Sequence, residues 1–89
     1  MSQLSDYMVR HDRTIAVGRK TFRILHISGE GDLAVAAFQG PRARFHVVRC
    51  LRTRVIGRPT AEVWSIIPNG RSGRAVDFAV DGDEVVEVS

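Results

Sequence analysis

Arginine is the residue type in this sequence whose number and spacing could do chemistry. The 89 residues include twelve arginines and one lysine. Between residues 42 and 58, six basic side chains occupy even-numbered positions: Arg42, Arg44, His46, Arg52, Arg54 and Arg58. Alternate residues of a strand lie about 7 Å apart, close to the phosphate spacing along a nucleic-acid strand. Because guanidinium groups pair bidentately with phosphate, we interpret this segment as a phosphate-binding face.

A second candidate contact lies in a glycine-rich stretch, residues 69–74, which reads NGRSGR. Two arginines on such a tip suit insertion into a groove or a grip on phosphates, although a plain hairpin loop would have the same composition. The complete set of candidate binding residues for nucleic acid or a partner is Arg42, Arg44, His46, Arg52, Arg54, Arg58, Arg71 and Arg74.

Catalytic and metal chemistry have little support. His46 and Cys50 are four residues apart, which on a strand means about 13 Å, too far to share one ion. The sequence has neither a Cys-x-x-Cys nor a His-Glu-x-x-His pattern. A cysteine nucleophile would need a basic partner and a lowered pKa, and a structural thiol is far more common. We therefore expect no metal, no cofactor and no enzymatic activity.

Charge is distributed unevenly along the chain. Residues 10–58 hold eleven basic side chains against three acidic ones, whereas residues 75–89 hold five acidic side chains and no basic one, and the net charge is +3. This asymmetry favours an acidic ligand for the basic segment. The alternative is internal pairing, in which the C-terminal carboxylates lie across the sheet from the arginines. The acidic residues concerned are Asp77, Asp81, Asp83, Glu84 and Glu87.

Length and composition predict one domain spanning residues 1–89. At 44% hydrophobic and 26% charged residues, the chain can bury a single core. No apolar run approaches the ~18 residues of a membrane span, and the N-terminal residues lack the pattern of a signal peptide. One cysteine cannot form an intramolecular disulfide. We expect a cytoplasmic protein that does not bind membranes.

Strand and turn signals dominate the chain. A short helix is predicted over residues 2–10, with Ser2 or Ser5 as its N-cap. Runs rich in β-branched, aromatic and small apolar residues, separated by Gly, Asn and Asp, predict strands at 14–17, 21–27, 33–38, 61–67, 74–80 and 84–88. Trp64 is expected to anchor the core.

The segment 42–56 decides the fold class. As a strand, it places the arginines on one face and mostly apolar residues, including Phe45, Val47 and Leu51, on the other. As a helix, it would begin after Pro41 and end before Gly57. Its five β-branched residues favour the strand. We predict a mainly β fold, a small partly closed barrel or sandwich, SH3-like or OB-like, of six or seven antiparallel strands with a short N-terminal helix. The alternative is α+β with a helix at 42–56.

Two functions are compatible with these patterns. The first is a small non-enzymatic protein that binds DNA or RNA mainly through phosphates, because Phe45 lies on the face opposite the arginines and stacking on bases is not evident. The second is a protein–protein interaction module, such as a phage- or plasmid-encoded inhibitor or assembly subunit, that binds an acidic protein. A homo-oligomer could form if the acidic C-terminal strand of one copy paired with the basic strand of another.

Overall fold

The computed structural model describes residues 2–68 and 73–88. Within these ranges, one helix precedes seven strands: α1 (Gln3–Arg10), β1 (Thr14–Val17), β2 (Lys20–Ser28), β3 (Val35–Gln39), β4 (Phe45–Leu51), β5 (Glu62–Ile66), β6 (Val76–Asp81) and β7 (Glu84–Val88). Short 3-10 turns, Gly31–Leu33 and Pro41–Ala43, lead into β3 and β4. The predicted short helix and mainly β class are confirmed.

The seven strands form one antiparallel meander. Each strand pairs with its neighbours in sequence, from β1 through to β7. The sheet curls until β1 and β7 approach each other, which produces a nearly closed barrel. At the β1–β2 turn, Gly18 has a positive φ of 61°, and the Glu87 carboxylate of β7 occupies the space that a side chain there would need. The predicted small barrel is thus confirmed, and a larger residue at position 18 would displace the Glu87 carboxylate.

Aromatic side chains fill the barrel interior. Trp64, Phe38 and Phe78 are fully buried. The ring centroids of Phe38 and Phe78 lie 6.0 Å apart, and those of Phe22 and Phe38 lie 5.8 Å apart, in tilted arrangements. Each buried aromatic side chain contributes roughly 1.5–3 kcal/mol through removal of its apolar surface from water. Trp64 anchors the core as predicted.

Helix α1 packs against one end of the barrel. The hydroxyl of Ser2 accepts a hydrogen bond from the Ser5 amide at 3.1 Å, so the predicted N-cap is present. The Glu62 carboxylate, at the start of β5, accepts hydrogen bonds from the amides of Gln3 and Leu4 at 3.3 and 3.2 Å. The Gly82 amide, in the β6–β7 turn, donates to the Gln3 side chain. These contacts define the helix end of the barrel, where β5 begins and β6 turns into β7.

The segment 42–56 is not a helix, and its strand is shorter than predicted. β4 covers only Phe45–Leu51. Val48 and Cys50 are buried in the core and His46 is half-buried, whereas Phe45 and Val47 are exposed. The predicted assignment of faces is therefore wrong, since the even-numbered side chains of β4 point inward. Pairing explains this orientation, because Val48 lies opposite Ile66 and Cys50 opposite Trp64, both of which face the core.

The arginines of the predicted phosphate-binding face lie before and after β4, and the one arginine within the strand is Arg49. Before the strand, Arg42 and Ala43 have positive φ values of 61° and 58°, which breaks the extended conformation. After Leu51, the chain leaves the sheet and turns back through a bridge between Val55 and Arg58. The alternation read across fifteen residues therefore does not hold beyond 45–51. At about 3.3 Å per residue, positions 44 and 52 lie roughly 26 Å apart, at opposite ends of the barrel.

The predicted pairing of an acidic strand with the basic strand of another copy requires a free edge on β4. β4 is hydrogen-bonded to β3 on one side and to β5 on the other. Its edges are therefore occupied, and the predicted addition of an acidic strand to this basic strand is not possible without opening the sheet.

In the described part of the chain, no helix has the length and hydropathy that crossing a membrane requires.

Candidate functional site

A cavity of about 500 Å³ opens at the end of the barrel opposite α1. Four basic side chains line it: Lys20, Arg44, His46 and Arg74. We call this group the basic end. Apolar side chains, among them Val17, Phe22, Ile66 and Val76, form the rest of the wall. None of the described residues lining the cavity is acidic. The cavity thus combines an apolar wall with a cluster of positive charge.

The meander brings these basic residues together. In an antiparallel meander, every second strand runs in the same direction, so β2, β4 and β6 all begin at the same end. Lys20 is the first residue of β2, Arg44 immediately precedes β4, and Arg74 lies two residues before β6. Residues separated by up to 54 positions in sequence therefore surround one opening.

His46 is the most enclosed member of the basic end. It lies on the inward face of β4, half-buried, and its ring meets the Phe22 ring edge-on at a centroid distance of 5.6 Å. Gly40 packs tightly behind it, since an added Cβ would lie 2.9 Å from His46 Nε2. Burial lowers the pKa of His46, and the positive charges of Lys20 and Arg44 lower it further. The imidazole is therefore predominantly neutral at pH 7 while no anion is bound.

Three of the other predicted arginines, Arg52, Arg54 and Arg58, lie at the helix end and have partners within the chain. Arg52 forms an ion pair with Asp32. Arg58 Nη1 lies 2.6 Å from a Glu84 carboxylate oxygen and 3.3 Å from an Asp81 oxygen. The expected internal pairing with C-terminal carboxylates is thus realised for Arg58.

Further contacts add to the ionic network at the helix end. Arg54 Nη1 donates to the Pro59 carbonyl at 2.7 Å. Asp83 accepts from Arg10 at 2.9 Å and contacts His11 at 3.1 Å. Hydrogen bonds from these two residues hold the pKa of Asp83 below its usual value, and the Arg52 contact does the same for Asp32. Carboxylates and guanidinium groups at this end thus neutralise one another.

The two remaining candidates, Arg42 and Arg71, are close in sequence to residues of the basic end. Arg42 is exposed in the turn before β4 and does not line the cavity. Arg71 lies outside the described residues. Of the eight predicted site residues, the fold thus brings Arg44, His46 and Arg74 together and places Arg52, Arg54 and Arg58 at the far end.

Sequence reasoning missed Lys20 and the apolar wall of the cavity. The strand predicted at 21–27 omits Lys20, although this residue precedes the buried residues Phe22 and Ile24 by two and four positions. Alternation along β2 places all three on the inward side of the barrel. This signal was available in the sequence, whereas the approach of Arg74 depends on the path of β6.

Cys50 is not a candidate nucleophile or metal ligand. Its side chain is buried, and burial, together with the nearby carboxylates of Glu62 and Asp32, raises the pKa of the thiol. A raised pKa lowers the thiolate fraction, which is the reactive and metal-binding form. Within residues 2–68 and 73–88, no group of three or more potential ligands is placed to hold a metal ion.

The outer face of β3 and β4 carries exposed apolar side chains. Phe45 is 64% exposed, Val47 50% and Val35 39%. The register places Val35 beside Arg49 and Ala37 beside Val47. We call the exposed apolar residues Val35, Phe45 and Val47 the outer strip. A contiguous apolar area of this kind on a small protein often marks an interaction surface.

The basic end and the outer strip are therefore the two surface features that call for a functional explanation. Comparison of the chain with protein-family models, with curated proteins and with solved structures yields no match, so function has to be inferred from the side chains that the fold brings together.

Proposed function

We propose that the protein is a small, non-enzymatic nucleic-acid-binding protein that holds its ligand by phosphate groups at the basic end. The observation that supports this most strongly is the convergence of Lys20, Arg44, His46 and Arg74 on one opening without an acidic residue among the described lining. Two guanidinium groups and an ammonium group around one opening complement the charge of phosphate, and guanidinium can pair with it bidentately.

Electrostatics explains why this cluster would bind an anion. Positive charges gathered around one opening repel each other, and the lowered pKa of His46 reflects that repulsion together with burial. A bound phosphate would offset the repulsion and would favour protonation of His46. The cluster therefore contributes more to binding than to the stability of the free fold.

The helix end is the weaker candidate for phosphate contact. Five carboxylates lie there beside the arginines: Asp32, Glu62, Asp81, Asp83 and Glu84. A phosphate approaching Arg52 or Arg58 would have to displace Asp32 or Glu84 and would face the repulsion of the remaining carboxylates. We therefore assign the ligand to the basic end.

A titration against nucleic acids tests this proposal. The protein is added to labelled duplex DNA, duplex RNA and single strands at several salt concentrations, and binding is followed by fluorescence anisotropy. If Lys20, Arg44 and Arg74 each neutralise one backbone phosphate, the slope of log affinity against log salt is about −2.7 for duplex DNA and about −2.1 for single strands, and it is smaller in magnitude if they share one phosphate. Absence of binding at low salt to all of these ligands would contradict the proposal.

The outer strip supports a second candidate function, an interaction module for an acidic protein. Its apolar centre, Phe45 and Val47, is flanked by Arg49, and an acidic partner with an apolar patch would complement both. The test is to capture partners from a lysate with the wild-type protein and with Val47→Asp. A partner lost only with Val47→Asp would support this function, whereas identical captures would contradict it.

A further inference from the structure

We propose that the cavity at the basic end takes one terminal nucleotide of a strand, with its phosphomonoester on the basic side chains and its base against the apolar wall. This inference rests on the proposed nucleic-acid binding and specifies its ligand. It predicts a preference for phosphorylated, unpaired ends over the interior of a duplex.

The arrangement of charge favours a terminal phosphate. A phosphodiester within a strand carries one negative charge per nucleotide, and a backbone in contact with a surface is best matched by cations spaced along a line. Here Lys20, Arg44, His46 and Arg74 surround a single opening. A phosphomonoester carries a charge of about −1.5 to −2 at pH 7 and three acceptor oxygens. A convergent cluster therefore matches a terminal phosphate better than an internal one.

The apolar wall favours a base beneath that phosphate. Val76 is half-buried, and together with Val17, Phe22 and Ile66, each of which keeps 4–5% of its surface exposed, it lines the same cavity as the cations. A phosphate group alone would fill only the charged opening and leave this wall in contact with water. Small-molecule sites commonly have volumes of about 300–1,000 Å³, lined by apolar residues with a few convergent polar groups. The cavity volume of about 500 Å³ lies within that range.

His46 connects the two parts of the cavity. Its imidazole lies at the opening with Lys20, Arg44 and Arg74, and the same ring packs edge-on against Phe22 of the apolar wall. A nucleotide whose phosphate reaches the cations would place its base beside this aromatic pair. Every base has a π-face that can stack on an aromatic ring, so this contact predicts little discrimination among bases.

Ligand binding to the wild-type protein provides the first test. Nucleoside 5′-monophosphates, the corresponding nucleosides and inorganic phosphate are titrated separately, with amide chemical shifts of the cavity residues as the readout. We expect a monophosphate to bind at least tenfold more tightly than the nucleoside or phosphate alone. Equal binding of monophosphate and inorganic phosphate would overturn the inference.

Oligonucleotides then distinguish a strand end from a free nucleotide. Single strands with and without a terminal phosphate are compared with a blunt duplex whose ends lack phosphate. A strand end as the ligand predicts at least tenfold tighter binding of the phosphorylated single strand. Tight binding of free monophosphate without this preference would overturn the assignment to a strand end and leave a free nucleotide as the ligand.

A variant that fills the cavity separates this inference from the proposed function. Val76→Phe adds bulk to the cavity without removing charge, and Val86→Phe, on exposed β7 surface, is its matched control. We expect Val76→Phe to lose the preference for a phosphorylated end and to keep salt-dependent duplex binding. Ile67→Phe fills the same cavity from another segment and replaces Val76→Phe if that variant does not fold.

The outcomes of these experiments are distinct. An unchanged end preference in both folded cavity-filling variants would overturn the inference while leaving the proposed function intact. Absence of nucleic-acid binding by the wild-type protein at every salt concentration tested would instead contradict the proposed function itself.

Discussion

The two ends of the barrel are both rich in arginine, yet they use it differently. At the helix end, Arg52 and Arg58 pair with Asp32 and Glu84. At the basic end, Arg44 and Arg74 line a cavity with no acidic residue among its described lining. The difference lies in the neighbours of each arginine, and it shows that the count of basic residues in a segment does not identify a binding surface.

Helix α1 adds to the polar network at the helix end, where Arg10 pairs with Asp83. The helix packs against the end where β5 begins, and the Glu62 carboxylate accepts hydrogen bonds from two of its N-terminal amides and from Trp64 Nε1 at 2.8 Å. A negative charge at a helix N-terminus is also favoured by the helix dipole. Polar groups at this end therefore stabilise the fold. Among the described residues, no α-helix packs against the opposite end.

Removal of the Glu62 carboxylate should have the largest effect on stability. Glu62→Ala leaves the buried Trp64 indole N–H and two helix amides without their acceptor. We expect the free energy of unfolding to fall by about 2–3 kcal/mol, the range for lost hydrogen bonds to a charged acceptor. Urea denaturation followed by tryptophan fluorescence measures it. Glu30→Ala, in an exposed turn, is the control, and equal midpoints for the two variants would contradict the structural role of Glu62.

A change of pH should alter phosphate affinity at the basic end by a smaller amount. His46 has a lowered pKa in the free protein, next to Lys20 and Arg44, with Arg74 lining the same cavity. Phosphate favours the protonated imidazole, so binding takes up a proton and affinity rises as pH falls. For a single strand without a terminal phosphate, whose phosphodiesters do not titrate in this range, we expect a gain of about fivefold between pH 8 and pH 6 by fluorescence anisotropy, equivalent to ~1 kcal/mol of charge interaction. A phosphomonoester loses charge near pH 6 and would oppose this gain.

His46→Gln is the matched variant for this pH dependence. Glutamine keeps a polar side chain at position 46 and cannot gain a proton, so its affinity should change little over the same pH interval. If His46→Gln retained the wild-type pH dependence, another group would be responsible and His46 would not belong to the binding site.

The pKa of His46 also affects the stability of the free protein. A histidine whose pKa is lowered by folding contributes stability above its unfolded pKa, near 6.5, and this contribution is lost as pH falls through the lower, folded value. Wild-type protein should therefore lose stability slightly more than His46→Gln on acidification below pH 6.5. Thermal melts of both proteins at pH 8, 6.5 and 5.5 measure this difference, and identical losses would contradict it.

Substitutions at the basic end should have the smallest effect on stability. Arg44 and Arg74 are exposed, neither forms an ion pair with a described residue, and their removal relieves repulsion at the opening. Replacement of either by alanine should change the free energy of unfolding by no more than about 0.5 kcal/mol, the usual range for surface positions. A loss as large as that of Glu62→Ala, in the same urea experiment, would mean that the basic end supports the fold.

Local signals in the sequence were sufficient to predict most elements of the fold. The predicted strands at 14–17 and 84–88 have the bounds of β1 and β7, and Ser2 caps α1 as predicted. Each of these depends on residues close in sequence, such as a capping hydroxyl or a short run of β-branched residues between turns. The barrel follows from several such strands joined by short turns.

The site was harder to predict because it depends on strand ends and on topology. The positive φ values at Arg42 and Ala43, which end the alternation before β4, have no signature in two non-glycine residues. Beyond Leu51, Arg52 and Arg58 find carboxylates through loops whose paths no local pattern specifies. Convergence of Lys20 with Arg74 requires the complete meander. The secondary-structure element of each residue was thus largely predictable, whereas the residues that lie beside it in space were not.

A comparison of two double variants tests the central claim most directly. Arg44→Ala with Arg74→Ala removes two charges from the basic end, and Arg52→Ala with Arg54→Ala removes two from the helix end. For each, binding to one nucleic acid is measured from 50 to 200 mM salt, and folding is checked by circular dichroism. We expect the first pair to lower the salt slope by roughly two units and the second pair to leave it unchanged. The reverse result, or equal effects, would contradict the assignment of phosphate binding to the basic end.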